Sequence, residues 1–267
     1  MDFILQYYFD FGLIGDNIGP ILEGFKFTLL LSILGGAFSL IWGLILAVLR
    51  QLPGKAAAPI RWLTIAYIDA FRGIPMLLVL LLVSGTMAAF ASEGVLPRSI
   101  GIPTWFGQIS PFWYGVISLT ITYGAYMAEV YRAGIEAVPR GQTEAARSLG
   151  MSHGQAMRFV IVPQAIRKVI PPLLNDFIAL MKDTSLVGVL GLVEVVQAGE
   201  DLENTFFNGS GLIMGAILFL IVTIPLARLV DWLIARDQRR TKRTGGGDSG
   251  DDPPAVGPLT GQAGVGT

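Results

Sequence analysis

The chain has 267 residues, of which 52% are hydrophobic and only 15% charged, and its formal net charge is −1. A mean hydropathy of +0.60, with charge well under the roughly 25% usual in soluble domains, excludes disorder over most of the length and points to lipid as the solvent. There is no cysteine and one histidine, His153, which excludes disulfides, thiolate metal sites, cysteine nucleophiles and a multi-histidine metal site within one copy.

A membrane-spanning helix needs about 20 apolar residues. The first run, Phe27 to Leu49, is 23 residues without charge, and a span is expected over 25–49. Within it Gly35, Ser39, Gly43 and Ala47 recur every fourth residue. Such a stripe lets another helix approach closely, and packing within one copy is expected ahead of a subunit interface. The second run, Gly73 to Ser92, is 20 uncharged residues, and its helix is expected over 61–91 with Asp69 and Arg72 inside. Asp69 lies one turn from Arg72 and is expected to neutralise it, while Pro75 predicts a kink.

Residues 99–128 carry no charge, but Pro103, Pro111 and the polar stretch from Gly107 to Ser110 divide them into an outer loop and a span over 112–132. Glu129 and Arg132 are expected to pair near the membrane face. The fourth span, 170–192, is the weakest, because it holds Asp176, Lys182 and Asp183; Pro171-Pro172 predict a kink at its base. The fifth, 211–235, falls within the uncharged run Asn204 to Ala227, and a basic, then disordered tail is expected over 238–267.

Lysine and arginine orient the spans, because cytoplasmic loops hold their excess. Residues 1–25 have none; the next loop has Arg50, Lys55 and Arg61; the following one has only Arg98. Residues 129–170 carry Arg132, Arg140, Arg147, Arg158, Arg167 and Lys168, the loop from Val193 to Ser210 carries none, and the tail is basic again. The alternation places the N-terminus outside and the C-terminus inside. Residues 1–23 become an extracytoplasmic segment, which lacks the positive n-region of a signal peptide, and 24–237 a transmembrane domain.

The long cytoplasmic loop predicts an elbow over 139–163. Pro139 suits a helix N1 position, Glu144 and Arg147 stand at i,i+3, and Gly150 is a natural C′ residue. Ser152 and Gln155 form a capping box for a second short helix with Met157, Val160 and Ile161 on one face, which Pro163 is expected to break. Such an elbow either meets a partner or packs on its own bundle.

Glu144-Ala-Ala, three residues, Gly150, ten residues and Ile161-Val-Pro163 resemble the EAA loop of ABC importer permeases. Phe71-Arg-Gly-Ile-Pro75 is similar to the RGTP segment of the polar amino acid subfamily. So are Glu129-Val-Tyr-Arg-Ala-Gly-Ile135, Val138-Pro-Arg-Gly-Gln142, Pro163-Gln-Ala165 and Leu180-Met-Lys-Asp-Thr-Ser-Leu186. Val162 stands for the usual Leu, Ile74 for the common Thr and Glu194 for a commoner Pro. The resemblance covers roughly Gly24 to Arg236. It implies an all-α, five-span permease subunit of an amino acid ABC importer in a bacterial inner membrane. It also implies pairing with a second permease, identical or related, two cytoplasmic ATPases docked on the elbows, an extracytoplasmic binding protein, and no nucleic acid. Glu144, Ala145, Ala146, Gly150 and Pro163 make or shape the ATPase contact by the same resemblance.

The chain has no phosphate-cradling G-x-x-x-x-G-K-[ST], since its Gly54-Lys55 is followed by Ala56, and it also lacks H-E-x-x-H. ATP and magnesium are therefore expected on partner subunits, with no cofactor or metal here, and His153 reads as a solvated side chain beside a cap. Ionisable groups inside spans are costly and usually face the bundle interior. Arg72 and Lys182 each lie 11 residues above a span base, about 16 Å deep. Asp183 points about 100° away from Lys182, so Lys182 is expected to pair across helices. Arg72, Pro75, Lys182, Asp183, Thr184 and Ser185 are candidates for lining a translocation path; the alternative is a structural network that fixes helix register. Other readings of the chain are an ABC permease for another small solute, an exporter, or a stand-alone channel or secondary carrier. No pair of similar halves supports the last.

Overall fold

The computed structural model describes residues 2–95, 104–105 and 108–244. Arg98, Pro103, Gly107 and the expected disordered tail beyond Thr244 lie outside the described residues. The described chain is helical apart from a two-residue antiparallel ladder between β1 (Thr104–Trp105) and β2 (Gln108–Ile109).

The N-terminal segment holds two short helices, α1 (Asp2–Tyr8) and α2 (Phe11–Asp16). Asp10 caps α2 by accepting the Leu13 N–H at 2.9 Å. The segment is tied to the far end of the chain: Tyr7 Oη donates to Glu203 at 2.7 Å, and the Asp10 N–H donates to Ser210 Oγ at 2.9 Å. The first span is α3 (Ile18–Arg50), which begins at Ile18 rather than near residue 25.

The small-residue stripe of α3 packs against α6 (Ser110–Glu136). A Cβ on Gly43 would stand 2.8 Å from Met127 Cβ and 2.9 Å from the Gly124 carbonyl, and Ser39 Oγ donates to the Leu119 carbonyl at 3.2 Å. All four stripe residues are buried inside one copy. Beside this pair a core of Leu31, Leu80, Phe112, Leu119, Leu180 and Val187 draws together α3, α6 and the helices of the second and fourth spans.

The second span is not one helix. α4 (Ala58–Gly73) and α5 (Met76–Ser92) meet at 112°. Ile74, ahead of a proline, takes extended backbone (φ −90, ψ 132), because the proline ring disfavours the helical region for its predecessor. The predicted kink is a full break. By length and hydropathy, α3 and Ser210–Arg239 are long and apolar enough to cross a membrane, and the α4–α5 pair is a third span if counted as one.

After α6 come α7 (Arg140–Ser148) and α8 (His153–Ala156). Pro163 does not stop the helix. A π-turn over Met157–Ile161 carries α8 directly into α9 (Val162–Asp183). Across the wider turn the Val162 N–H donates to the Met157 carbonyl, and Pro163 falls in the first turn of α9, where proline is tolerated. α9 continues through Pro171 and Pro172 as one helix and tightens into a 3₁₀ segment, Thr184–Leu190, ending at Gly191 (φ +85). The loop between α9 and the last helix holds α10 (Val195–Phe206), and α11 (Ser210–Thr244) continues past residue 235, so the basic run to Arg243 is helical.

Candidate functional site: an elbow and a polar cavity

The elbow is built by local rules. Pro139 is the N-cap of α7, one position earlier than expected, and Leu149 its C-cap. Gly150 follows at φ +83; its N–H donates to the Arg147 carbonyl at 3.0 Å, and the Met151 N–H donates to the Ala146 carbonyl at 3.2 Å. These two bonds are the Schellman pattern, which needs a left-handed residue at Gly150. The capping box is present: the Gln155 N–H donates to Ser152 Oγ at 3.3 Å, and the Ser152 N–H donates to Gln155 Oε1 at 2.8 Å. His153 is exposed at the start of α8.

The elbow has two faces. Met157, Val160 and Ile161 pack with Ile135, Val138 and Ala165, so one face rests on the chain's own bundle. Glu144, Ala145, Gly150 and Pro163 are exposed, as are Leu149 at 81% and Phe159 at 63%. Ala146 is buried beneath them. The Glu144–Arg147 pair does not form among the described residues; Arg147 Nη1 donates instead to the Met151 carbonyl at 2.9 Å.

The break between α4 and α5 opens a cavity of about 430 Å³, lined by residues of α4, α5, α6 and α9. Of the predicted path residues, Arg72, Pro75 and Asp183 line it. The Arg72 guanidinium lies 5.8 Å from the centroid of the Tyr126 ring, a cation–π arrangement. Tyr126 Oη donates to the Arg72 carbonyl at 3.2 Å, and Tyr123 Oη donates to Asp183 Oδ2 at 2.8 Å. Asp176 faces the same space and feels the charge of Arg72. Its Oδ2 and the Oγ1 of Thr122 are buried with no hydrogen-bond partner among the described residues. Orphaned buried polar atoms are uncommon, and the residues bearing these two both line this cavity.

Three expectations are corrected here. Asp69 is exposed and forms no ion pair with Arg72 among the described residues; the Arg72 guanidinium lies over the Tyr126 ring instead. Lys182 is exposed and pairs with no carboxylate among the described residues, because Asp183 takes the inward position and the 100° step per residue sends Lys182 outward. Thr184 Oγ1 and Ser185 Oγ donate to carbonyls of their own helix, at 2.7 and 2.8 Å, rather than facing the cavity.

Sequence reasoning missed Thr122, Tyr123, Tyr126 and Asp176 as cavity residues. One signal was available: Asp176 and Asp183 are seven residues apart, two turns on one face. Glu129 pairs with Arg132, as expected, and also with Arg50 at 2.6 Å, which joins α6 to α3. Arg132 pairs with Glu136 as well. Glu194, in the loop before α10, is fully buried and caps α10, accepting the Val196 and Gln197 N–H groups at 2.9 Å each. Burial pushes its carboxyl up to about 6. Among the described residues no group of three or more His, Cys, Asp or Glu could hold a metal ion.

Comparison with known proteins agrees with this geometry. The "Probable glutamine ABC transporter permease protein GlnM" of Bacillus subtilis strain 168 is 38% identical over 222 residues, 83% of this chain and 94% of that protein. The "Glutamate/aspartate import permease protein GltK" of Escherichia coli O157:H7 is 31% identical, over 86% of this chain and 99% of the relative. A chain from a crystal structure of an amino acid ABC transporter with histidines superposes with a TM-score of 0.72 at 32% identity, covering 85% of this chain and 98% of that one. A chain of an inward-facing methionine ABC transporter shares the fold, with a TM-score of 0.61 at 22% identity over 80% of this chain and 96% of that chain. The model of the family described as binding-protein-dependent transport system inner membrane component matches residues 39–239. The chain belongs to that family of inner-membrane transport components.

Proposed function

We infer that the chain is the membrane permease subunit of an ATP-driven importer of polar amino acids. The observation that carries this reading is the cavity at the α4–α5 break, which the Arg72 cation and the Asp176 and Asp183 carboxylates line together. A zwitterion needs such a pairing of charges, and each group is costly inside a membrane unless it meets a partner. The substrates in the names of the similar proteins, glutamine, glutamate and aspartate, are polar amino acids, which supports the same class.

On this reading the chain has five spans, with α4 and α5 as one broken span, the N-terminus outside and the C-terminus inside, in keeping with its lysine and arginine distribution. The elbow at 139–163 is the seat of a cytoplasmic ATPase, contacted by Glu144, Ala145 and the turn at Gly150, with Ala146 and Pro163 shaping it. Two such ATPases hold ATP and magnesium, a second permease completes the pore, and an extracytoplasmic binding protein delivers the solute.

The test is a gentle detergent purification of the tagged chain from its native membrane, followed by reconstitution of the recovered complex with internal ATP. A P-loop ATPase is expected to co-purify, and labelled polar amino acids to accumulate. Arg72→Met and Asp176→Asn are expected to lower uptake at least about tenfold, a loss of roughly 1.4 kcal/mol or more, while Lys182→Met stays near the starting activity. A partner-free oligomer would refute the coupled importer, and equal effects of the three substitutions would refute the cavity assignment.

A further inference from the structure

A second pocket lies away from the polar cavity, between α9 and α11, with a volume of about 210 Å³. Its floor is Ile170, Pro171 and Leu233, and its mouth holds Arg167 from α9 and Arg236 from α11, with Asp237 beside them. Arg167 stands near the start of α9 and Arg236 near the end of α11, so the two helices bring their basic ends together. Both guanidinium-bearing residues are exposed. One turn before Arg236 is Trp232, 53% exposed, with the guanidinium 5.0 Å from its ring centroid. Trp at this level is the usual marker of a membrane–water interface. Beyond it Leu229, Ile224 and Ile221 are exposed apolar residues, as the lipid-facing side of a span requires. The sequence adds Arg239, Arg240, Lys242 and Arg243 just past the pocket.

We propose that this pocket seats the headgroup of an anionic phospholipid of the cytoplasmic leaflet. Two guanidinium groups on different helices suit a phosphate diester, since arginine presents paired donors to its oxygens. With Asp237 beside them, the two arginines leave the pocket a net single positive charge. The apolar floor continues toward the bilayer, where acyl chains lie. Basic pockets between transmembrane helices on the cytoplasmic side are matched to such lipids by charge. The occupant joins α9, which carries Asp176 and Asp183, to α11. The leaflet rests on the topology inferred above; the pocket's chemistry does not.

The experiment is native mass spectrometry of the whole purified transporter, released from nanodiscs of phosphatidylglycerol, phosphatidylethanolamine or a mixture with matched chains. Phosphatidylglycerol is expected to remain bound about fivefold or more over phosphatidylethanolamine, and Arg167→Gln with Arg236→Gln to abolish the preference. The paired lysine variant should keep most of it, and Arg228→Gln, which removes one positive charge elsewhere on α11, should leave it unchanged. Equal retention of the two lipids by the unaltered complex overturns the proposal, and does so even if the glutamine variant fails to assemble. Persistence of the preference in an assembled glutamine variant, or displacement of the lipid by millimolar inorganic phosphate, overturns it as well. Because the chain has no cysteine, an Arg239→Cys variant reports the leaflet. Labelling by an impermeant maleimide only in inverted vesicles is expected; labelling from outside overturns the cytoplasmic placement separately from the lipid preference.

Discussion

Gly150 offers a graded test of the elbow. Its φ of +83 lies where an L side chain is strained by about 1–2 kcal/mol, and an added Cβ there meets nothing within 4 Å. The strain of Gly150→Ala is therefore purely conformational. It shifts the turn against the angled arrangement of α7 and α8 by about 5- to 30-fold. Asn tolerates the left-handed region better than Ala, so Gly150→Asn should fall between Gly and Ala. Proline cannot reach positive φ and has no N–H for the Arg147 carbonyl, so Gly150→Pro should cost about 3 kcal/mol or more. The site lies at the tip of an exposed elbow, so membrane insertion and yield should hold through the series. The assay is ATPase activity stimulated by loaded binding protein, with uptake measured in the same proteoliposomes. The expected order is Gly, Asn, Ala, Pro, with uptake abolished at proline while the subunit is still inserted. Normal uptake by Gly150→Pro would refute the idea that the turn couples the ATPase to the membrane helices.

Two further predictions concern stability. Gly43→Ala places a Cβ 2.8 Å from Met127 Cβ and 2.9 Å from the Gly124 carbonyl, atoms that cannot swing aside, and should cost about 1–3 kcal/mol. Gly85→Ala meets nothing within 4 Å and should be neutral or better, so equal melting shifts of the two in detergent would contradict the α3–α6 packing. For Glu194, burial raises the folded carboxyl to about 6 from an ordinary 4.5, so the fold disfavours the charged form. Stability should rise as pH falls from 7 through 6 toward 4.5, by at most about 2 kcal/mol, and Glu194→Gln should flatten that slope; an unchanged slope would argue against this carboxylate as its source.

The elbow was legible from sequence because every rule that forms it is local. Gly150, Ser152 and Gln155 act on neighbours within five residues, and the bonds they make are the ones their spacing implies. The small-residue stripe of α3 was equally readable, although not the identity of its partner helix. The cavity was not legible, because Arg72, Tyr123 and Asp176 come from three helices and meet only after packing. Pro75 announced a disturbance, but the 112° angle is set by what α4 and α5 pack against. Lys182 and Asp183 show the limit most plainly. Adjacent residues on a helix face 100° apart, and only the position of Tyr123 decides which one turns inward. Pro163 misled for a different reason: a π-turn lets the helix continue where propensity alone ends it.

The two parts of the site are mechanically continuous. Beneath the elbow, Ile161, Ala165 and Val138 pack into one cluster, which binds the elbow to the base of α6 and of α9. Those helices form two walls of the cavity: α6 carries Tyr123 and Tyr126, and α9 carries Asp176 and Asp183. From Glu136 back to Tyr123 is 13 residues, and from Ile161 on to Asp176 is 15, so each arm is about 20 Å long. The third wall, Arg72 at the α4–α5 break, lies on α4 with its guanidinium over Tyr126 of the α6 arm. On the function proposed above, a push on the elbow is expected to shift the two α9 carboxylates relative to that cation. Arg50 and Arg132 hold Glu129 of α6, which gives the α6 arm a fixed point on α3, two turns from Tyr123. On the same proposal, a rocking motion about that point is expected to separate Asp183 and Asp176 from Arg72 and loosen a zwitterion held between them. Severing the pivot with Glu129→Gln should thus weaken the link between ATP hydrolysis and uptake while leaving the cavity's own side chains in place, so that ATPase activity persists and uptake per ATP falls.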